Sequence, residues 1–218
     1  MAVGSDSLPE LLPVAGVRVG TTSAGIKTPG RKDLVLFELA AGSTCAAVFT
    51  QNAFCAAPVI VARRNLQESG FAQRYWLVNT GNANAGTGAP GIADAVACIE
   101  AIADVAGCES AQVMPFSTGV IGEPLPVEKI ATAVPDVVAA VTEDGSASAA
   151  EGLLTTDTRP QGCSRQFTVD GQQFTVTGIA KGAGMIRPNM ATMLAYLATD
   201  RSVAPEVLQT ILRRATEL

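Results

Sequence analysis

Short apolar runs bounded by glycine, serine or proline dominate the N-terminal part of the chain and predict β-strands. Four of them contain β-branched residues and have strand length: residues 33–39, 45–50, 58–62 and 75–79. Residues 16–31 are rich in Gly, Thr, Ser and Lys and predict irregular structure. Four strands before the first clear helix favour a largely antiparallel or mixed sheet over a simple alternation of strands and helices.

An amphipathic helix is predicted over residues 92–106. Its apolar residues recur three and four positions apart, and Gly107 is a natural terminator. Two further helical pieces, 126–134 and 136–141, are predicted on either side of Pro135, because proline is poorly tolerated inside an uninterrupted helix.

The C-terminal part predicts a hairpin, a buried strand and a last helix. Apolar and β-branched residues flank the dipeptide Asp170-Gly171, which favours a tight hairpin turn. The continuous apolar run 193–198 predicts a buried strand, and Pro205 begins a helix with one apolar face. Together these elements predict an α/β fold with α+β layering around a mixed sheet.

Charge and composition exclude several classes of protein. A net charge of -5 and a pI near 4.8 argue against a sequence-independent nucleic-acid binder, which needs a basic face. No apolar run reaches the length of a membrane span. Residues 1–13 carry Asp6 and Glu10 without a basic stretch, so no signal peptide is predicted. We therefore expect a cytoplasmic protein with neither a nucleic-acid nor a membrane partner.

The chain contains no histidine. A Ser-His-Asp or Cys-His couple cannot form within it, and no imidazole can bind a metal, so no metal site is expected. Any nucleophile must be activated by a lysine, a carboxylate, or an α-amine created by chain cleavage. The five cysteines include no Cys-x-x-Cys pair and are predicted to be reduced core thiols.

The segment from Lys181 to Leu194 carries the first candidate chemistry. Lys181 is followed by Gly182, so a cation lies on backbone that can approach another group closely. Thr192 comes after a Pro-Asn turn signal and the small Ala191, at the head of the predicted strand 193–198. Its β-branched side chain holds the hydroxyl stiffly, which suits a nucleophile. The alternative is that this Lys-Gly-x-Gly stretch is only a loop.

Three polar stretches are weaker candidates. Gly119 N–H and the Thr118 hydroxyl could stabilise an oxyanion, or they belong to an ordinary Ser-Thr-Gly turn at the end of the predicted strand 113–122. Residues 79–88, rich in Asn and Gly, either line a polar pocket or cradle a phosphate, or form a tight loop with several positive φ angles. Residues 155–158 follow a helical stretch and indicate a polar site or the start of a strand.

Four segments in this order resemble the ornithine acetyltransferase family, also described as bifunctional glutamate N-acetyltransferase of arginine biosynthesis. They are 78–85 (VNTGNANA), 117–122 (STGVIG), 155–158 (TTDT) and 181–194 (KGAGMIRPNMATML), and the last is the most specific. The resemblance runs from about Gly16 to the end of the chain.

The resemblance implies a fold similar in layering to the N-terminal-nucleophile hydrolases and a precursor that cuts itself between Ala191 and Thr192. The residues 1–191 would form the α-chain part and 192–218 the beginning of a β chain, which associate further into a heterotetramer. The exposed Thr192 would carry an acetyl group from N-acetylornithine to glutamate. By the same resemblance, Thr118 and Gly119 match the oxyanion hole, while Thr155, Lys181 and Thr192 match substrate contacts.

The resemblance also implies no bound cofactor, although some members accept acetyl-CoA as a donor. Family members continue well beyond 192–218, and their later part carries a catalytic or binding glutamate and C-terminal substrate contacts. Residues 192–218 are too few for a β chain with its own packed surface, so an incomplete pocket is expected. Two other functions remain open: an inactive assembly partner for another polypeptide, and a nucleotide-binding module built on the loop 79–88.

Overall fold

The computed structural model describes residues 7–182 and 193–217. They form two β-sheets and five α-helices. The strands are β1 (Val17–Thr22), β2 (Leu34–Leu39), β3 (Tyr75–Asn82), β4 (Val113–Val120), β5 (Gln161–Val169), β6 (Gln172–Lys181) and β7 (Leu194–Thr199). The helices are α1 (Ala57–Glu68), α2 (Gly88–Ala106), α3 (Val127–Ala139), α4 (Ser146–Gly152) and α5 (Pro205–Thr216).

The first sheet has the strand order β1-β2-β3-β4. β2 pairs antiparallel with both β1 and β3, whereas β3 and β4 are parallel and are connected through α2. The sheet is therefore mixed, as the run of apolar segments predicts. The second sheet, β5-β6-β7, is antiparallel throughout.

Both faces of the first sheet are covered, and β2 shows how the sequence achieves this. Leu34 and Leu36 belong to the apolar cluster that includes residues of α1, α2 and α3, while Val35 and Phe37 belong to the cluster with α4 and the second sheet. All four side chains are buried. A strand buried on both faces reads as a continuous apolar run, because successive side chains alternate between the faces.

Aromatic rings join the two sheets. Tyr196 of β7 stacks on Phe37 at a centroid distance of 4.8 Å and meets Phe116 edge-on at 5.2 Å. Trp76 lies 5.7 Å from Phe37 and completes the cluster. Rings at these separations contribute beyond the area that they bury. The second sheet thus packs on the first through Tyr196 of β7, with Ile179 of β6 buried in the same cluster.

The connection between α3 and α4 closes over the edge of β1. Val19 N–H donates to Thr142 O at 2.8 Å, and Thr142 N–H returns a bond to Val19 O at 3.1 Å. A Cβ on Gly145 would lie 1.9 Å from Val19 O, so only glycine permits this approach. The contact satisfies part of an edge that would otherwise present unpaired backbone groups.

Two predicted strands are wrong. Residues 58–62 lie in α1, where Pro58 occupies the first turn, a position that needs no N–H donor. Val61 and Leu66 are buried in α1 while Arg63 and Arg64 are exposed, a helical period that a short β-branched run does not reveal.

Residues 45–50 form no strand either. The Ala47 N–H donates to Gln209 Oε1 of α5, and Gln209 Nε2 donates back to Ala47 O. The Gln209 side-chain amide thus satisfies the backbone groups of Ala47, as a neighbouring strand would in a sheet. β1, by contrast, lies inside the segment 16–31 that was predicted to be irregular.

The predicted hairpin and the helix 92–106 are confirmed. Asp170 and Gly171 have φ of 52° and 76°, as a tight hairpin turn requires, and Gly107 ends α2 with φ 66°. The predicted break at Pro135 is wrong, since α3 continues through this exposed proline from Val127 to Ala139.

β7 is not the buried strand that its apolar run predicts. Tyr196 is buried, but Leu197 is 57% exposed because its face of the second sheet is uncovered by the described residues. α5 likewise buries none of its residues.

The cysteines carry free thiols, of which only Cys45 and Cys98 are core residues as predicted. Burial raises their pKa to about 11 and about 12 respectively. Cys163 is exposed. Within the described ranges, no helix is long and apolar enough to cross a membrane.

We expect Gly145→Ala to lower the free energy of unfolding by about 1–3 kcal/mol, because the added methyl group must displace the Val19 carbonyl. Gly178→Ala in β6 is the control, since its Cβ would meet Leu197 at an ordinary 3.5 Å. Urea denaturation of both variants measures the difference. Equal stability of the two would show that the β1 edge adjusts freely.

Candidate active site

A cleft of about 510 Å³ opens where β3, β4 and β6 end, within the usual range for small-molecule sites. Strands from both sheets contribute to it, together with the loop after α4 and the loop between β1 and β2. Its lining consists of Lys27, Thr28, Arg31, Asp33, Thr80, Gly81, Thr118, Gly119, Val120, Thr155, Thr156, Asp157, Lys181 and Gly182. The predicted residues Thr118, Gly119, Thr155 and Lys181 are therefore neighbours around one cavity.

Thr118 and Gly119 lie in the last part of β4, not in a turn after it. Gly119 is in register with Gly81 of β3, at a point where the ladder is irregular. Gly119 has φ +140°, and a Cβ there would lie 2.3 Å from the Gly81 carbonyl carbon. The two backbones approach too closely for any side chain, which leaves peptide groups at the cleft wall beside the nearly buried Thr118.

The asparagines at and beyond the end of β3, Asn82 and Asn84, stabilise the loop and do not line the cleft. Asn82 Nδ2 donates to the carbonyl oxygens of Glu123 and Pro124, and Asn84 Nδ2 donates to Gly91 O at 2.8 Å. Positive φ angles occur at Gly81 and Asn84, among others. The tight-loop interpretation of 79–88 is the better one, although Thr80 and Gly81 do line the cleft.

Asp157 connects two parts of the cleft wall. Its Oδ1 accepts a hydrogen bond from Gly182 N–H at 2.8 Å, and its Oδ2 accepts one from Thr155 N–H at 3.3 Å. The loop after α4 is thereby attached to the end of β6. Because Gly182 follows Lys181, this carboxylate also fixes the backbone that carries the lysine.

Lys181 is only 4% exposed. Burial lowers the pKa of its ammonium group, and the nearby Asp157 carboxylate partly offsets that effect. The lysine thus loses its proton more readily than a lysine in water, as expected for a charge moved into a poorly solvated site.

The loop between β1 and β2 lines the cleft, and hydrogen bonds fix its backbone. Both carboxylate oxygens of the buried Asp33 accept backbone N–H bonds, from Ala24 and Ile26, each at 2.6 Å. Lys129 Nζ donates to Gly25 O at 2.8 Å. The cleft residues Lys27, Thr28 and Arg31 belong to this loop.

Ala191 and Thr192 lie outside the described residues. The chain is described up to Gly182 and again from Met193, and these two positions are in contact: a Cβ on Gly182 would lie 3.4 Å from Met193 Cγ. Lys181 pairs with Leu194 across β6 and β7. The described residues on either side of 183–192 are therefore neighbours, and one of them, Gly182, lines the cleft.

Several cleft residues were not found from the sequence. Lys27 and Arg31 lie in a stretch predicted to be irregular, where nothing local distinguishes them from solvated lysine and arginine. Asp157 belonged to a polar stretch whose partners were unknown. Its bond to Gly182 joins residues far apart in the chain, and only the tertiary fold shows it.

We expect Asp157→Asn to lower the pKa of Lys181 further, since the amide removes the favourable charge but keeps an oxygen for the Gly182 N–H. NMR titration of the lysine ε-carbons measures the shift. Asp104→Asn on the exposed side of α2 removes an equal charge outside the cleft and should leave Lys181 unchanged. An unaltered Lys181 pKa in Asp157→Asn would remove the proposed coupling.

Residues 18–218 match the model of the ArgJ family. The chain is 58% identical over 212 residues to the arginine biosynthesis bifunctional protein ArgJ of Pseudomonas fluorescens, covering 97% of this chain and 52% of that protein. The chain thus spans about half the length of the curated relatives that it matches.

Solved structures agree with the sequence comparison. The arginine biosynthesis bifunctional protein ArgJ of Bacillus halodurans superposes with a TM-score of 0.75 at 36% identity, covering 82% of this chain and 92% of that one. The ornithine acetyltransferase of Mycobacterium tuberculosis, solved in complex with ornithine, gives 0.68 at 33% identity, with 85% and 94% covered.

A more distant structure bears on the fold alone. The L-aminopeptidase D-Ala-esterase/amidase of Ochrobactrum anthropi, described as a variant of the Ntn hydrolase fold, gives a TM-score of 0.50 at 13% identity, with 94% of this chain and 68% of that chain covered. The predicted layering, similar to N-terminal-nucleophile hydrolases, is therefore confirmed. On the match over residues 18–218, this chain belongs to the ArgJ family.

Proposed function

We propose that this chain provides the acetyl-transfer site of an enzyme that moves an acetyl group from N-acetylornithine to glutamate in arginine biosynthesis, through an acetyl ester on Thr192. The observation that carries the proposal is the convergence of Thr118, Gly119, Thr155 and Lys181 on one cleft. The contact between Gly182 and Met193, the described residues that flank the segment with Thr192, supports the proposal because Gly182 lines the cleft.

The nucleophile arises by self-cleavage. Thr192 Oγ attacks the Ala191 carbonyl carbon, the peptide C–N bond breaks, and the hydroxyl proton passes to the departing nitrogen. Water then hydrolyses the resulting ester, which leaves a carboxylate on Ala191 and restores the hydroxyl. The product carries a free α-amine beside that hydroxyl, and this amine serves as the general base in place of an imidazole.

Acetyl transfer then takes two steps. Thr192 Oγ attacks the acetyl carbonyl of N-acetylornithine, its proton passes through the α-amine of Thr192 to the leaving nitrogen, and ornithine departs. The neutral amine of glutamate next attacks the acetyl ester, the C–O bond breaks, and N-acetylglutamate leaves with the threonine hydroxyl restored. Both steps pass through a tetrahedral oxyanion, which Thr118 Oγ–H and Gly119 N–H stabilise as hydrogen-bond donors.

Lys181 keeps the threonine amine in its basic form. A neighbouring cation disfavours a second positive charge, so it lowers the pKa of the α-amine towards neutral pH, where a general base works best. Thr155 and Lys181 also contact substrate in this proposal. Asp157 holds both of them through Thr155 N–H and the Gly182 backbone.

The larger assembly follows from the same proposal. Residues 1–191 belong to the α chain and 192–218 begin the β chain. One α chain and one β chain associate, and two such pairs form a heterotetramer in the cytoplasm. The reaction needs no bound cofactor, and acetyl-CoA is a possible second donor. The relatives' greater length leaves room for further substrate contacts outside this chain.

Intact mass spectrometry tests the cleavage. The parent chain is expected to give two fragments, ending at Ala191 and beginning at Thr192, because the hydroxyl can reach its own preceding carbonyl. Thr192→Ala lacks the attacking oxygen and should remain whole, whereas Thr192→Ser keeps a hydroxyl and should still be cut. Cleavage of the alanine variant at the same bond would point to a contaminating protease.

Thr118→Val is expected to lower turnover of N-acetylornithine and glutamate by about 10²–10³-fold, the usual effect of losing one oxyanion donor. Thr118→Ser keeps the donor and should stay close to the parent. Formation of N-acetylglutamate, followed by mass spectrometry, measures both. A valine variant as fast as the parent would take Thr118 out of this role.

A second candidate function is a non-catalytic assembly partner. Its support is apolar surface on β7 and α5, where Leu197 is 57%, Val207 51% and Ile211 54% exposed. This role predicts association with another polypeptide without acetyl transfer. The parent chain's N-acetylglutamate assay therefore separates the two functions.

A further inference from the structure

The charged side chains that line the cleft differ in whether they have hydrogen-bond or ion-pair partners within the protein. Three cations line it, Lys27, Arg31 and Lys181, against two carboxylates, Asp33 and Asp157. Both carboxylate oxygens of Asp33 accept hydrogen bonds from backbone N–H groups of its own loop. Those of Asp157 accept from the N–H groups of Gly182 and Thr155. Backbone amides thus engage both carboxylates, and within the described ranges neither forms an ion pair with Lys27.

The cations in and near the cleft also differ in whether they have a partner. Arg31 Nη2 donates to the Leu154 carbonyl, and Lys181 has Asp157 beside it. Lys32 and Lys129, on or against the same loop, are bonded to Glu151 Oε2 and Gly25 O. Among residues 7–182 and 193–217, none accepts a hydrogen bond or forms an ion pair with the Lys27 ammonium group.

The Lys27 side chain also begins next to the backbone that carries the proposed oxyanion donor Gly119. A Cβ on Gly81 would lie 3.0 Å from Lys27 Cβ, and Gly81 is in register with Gly119. The loop that carries Lys27 is held by Asp33 and by Lys129, so the stem of this side chain begins at a fixed position over the Gly81–Gly119 backbone. The Lys27 side chain is exposed, and its flexible four-carbon chain can bring the ammonium group from this fixed Cβ to an anion in the cleft.

We infer that Lys27 binds the α-carboxylate of the amino-acid substrate in this cleft. The identity of that substrate rests on the proposed function. In both N-acetylornithine and glutamate the reacting nitrogen and the carboxylate share one carbon atom, so a carboxylate always arrives next to the carbonyl under attack. A cation that has no hydrogen-bond or ion-pair partner among the described residues at that place complements this carboxylate.

A charge-assisted hydrogen bond of this kind is worth roughly a tenfold to hundredfold change in binding. Lys27→Gln should therefore raise the KM for N-acetylornithine and for glutamate by about that factor and change kcat little, because the carboxylate is bound equally in ground and transition states. Lys27→Arg should recover most of the loss. Lys32→Gln removes the same charge from the same loop outside the cleft and is the matched control.

The decisive comparison uses a donor without the carboxylate. N-acetylputrescine is N-acetylornithine with the carboxylate replaced by hydrogen, so the parent should favour N-acetylornithine, and Lys27→Gln should lose that preference. Equal losses on both donors would overturn the inference. A loss confined to acetyl-CoA as donor would also overturn it, because Lys27 would then serve a phosphate.

A measurement without turnover separates this inference from the proposed function. Reductive methylation of lysines, read by peptide mass spectrometry, should be slowed at Lys27 by glutamate or N-acetylornithine but not by N-acetylputrescine, with Lys32 unaffected. If the parent forms no N-acetylglutamate yet Lys27 is protected, the proposed function fails and the carboxylate site stands. If neither amino acid protects Lys27, the site is wrong whether or not the chain is active.

Discussion

The contact between the two sheets determines where the cleft residues lie. Tyr196 inserts its ring among Phe37, Trp76 and Phe116, which come from three strands of the first sheet. Because β7 is hydrogen-bonded to β6, the same ring sets the position of the whole second sheet. Lys181 at the end of β6 is thereby brought opposite Thr118 and Gly119 at the end of β4. Ile179 of β6 belongs to the same apolar cluster, and the bond between Gly182 N–H and Asp157 adds a polar connection at the cleft.

The charged side chains of the cleft are positioned without any histidine. A chain without histidine has to position its charges by backbone and carboxylate contacts, since no imidazole is available to shuttle protons. Asp157 does this for Lys181, and Asp33 does it for the loop that carries Lys27 and Arg31. In both cases a carboxylate binds backbone N–H groups, which orients a neighbouring cation without neutralising it by direct contact.

The sequence predicts elements whose signals are local, and it fails where distant residues decide. The Asp170-Gly171 hairpin and the helix ended by Gly107 depend on a few neighbouring residues, and both were predicted. Pro58 and its β-branched neighbours fit either a strand or a helix, and packing against β4 selects the helix. Thr118 and Lys181 were identified as site residues because they lie in specific motifs. Lys27 has no such motif, and its importance follows from contacts with Gly81.

The pairing of β6 with β7 has a consequence for how the molecule can be made. Six residue pairs, from Val176 with Thr199 to Lys181 with Leu194, hold together the strands that precede and follow the segment 183–192 in the chain. The ladder needs no covalent link between its strands, and Tyr196 adds an apolar anchor. Two separately expressed polypeptides, divided within that segment, could therefore assemble by strand addition, as peptides do at an open sheet edge.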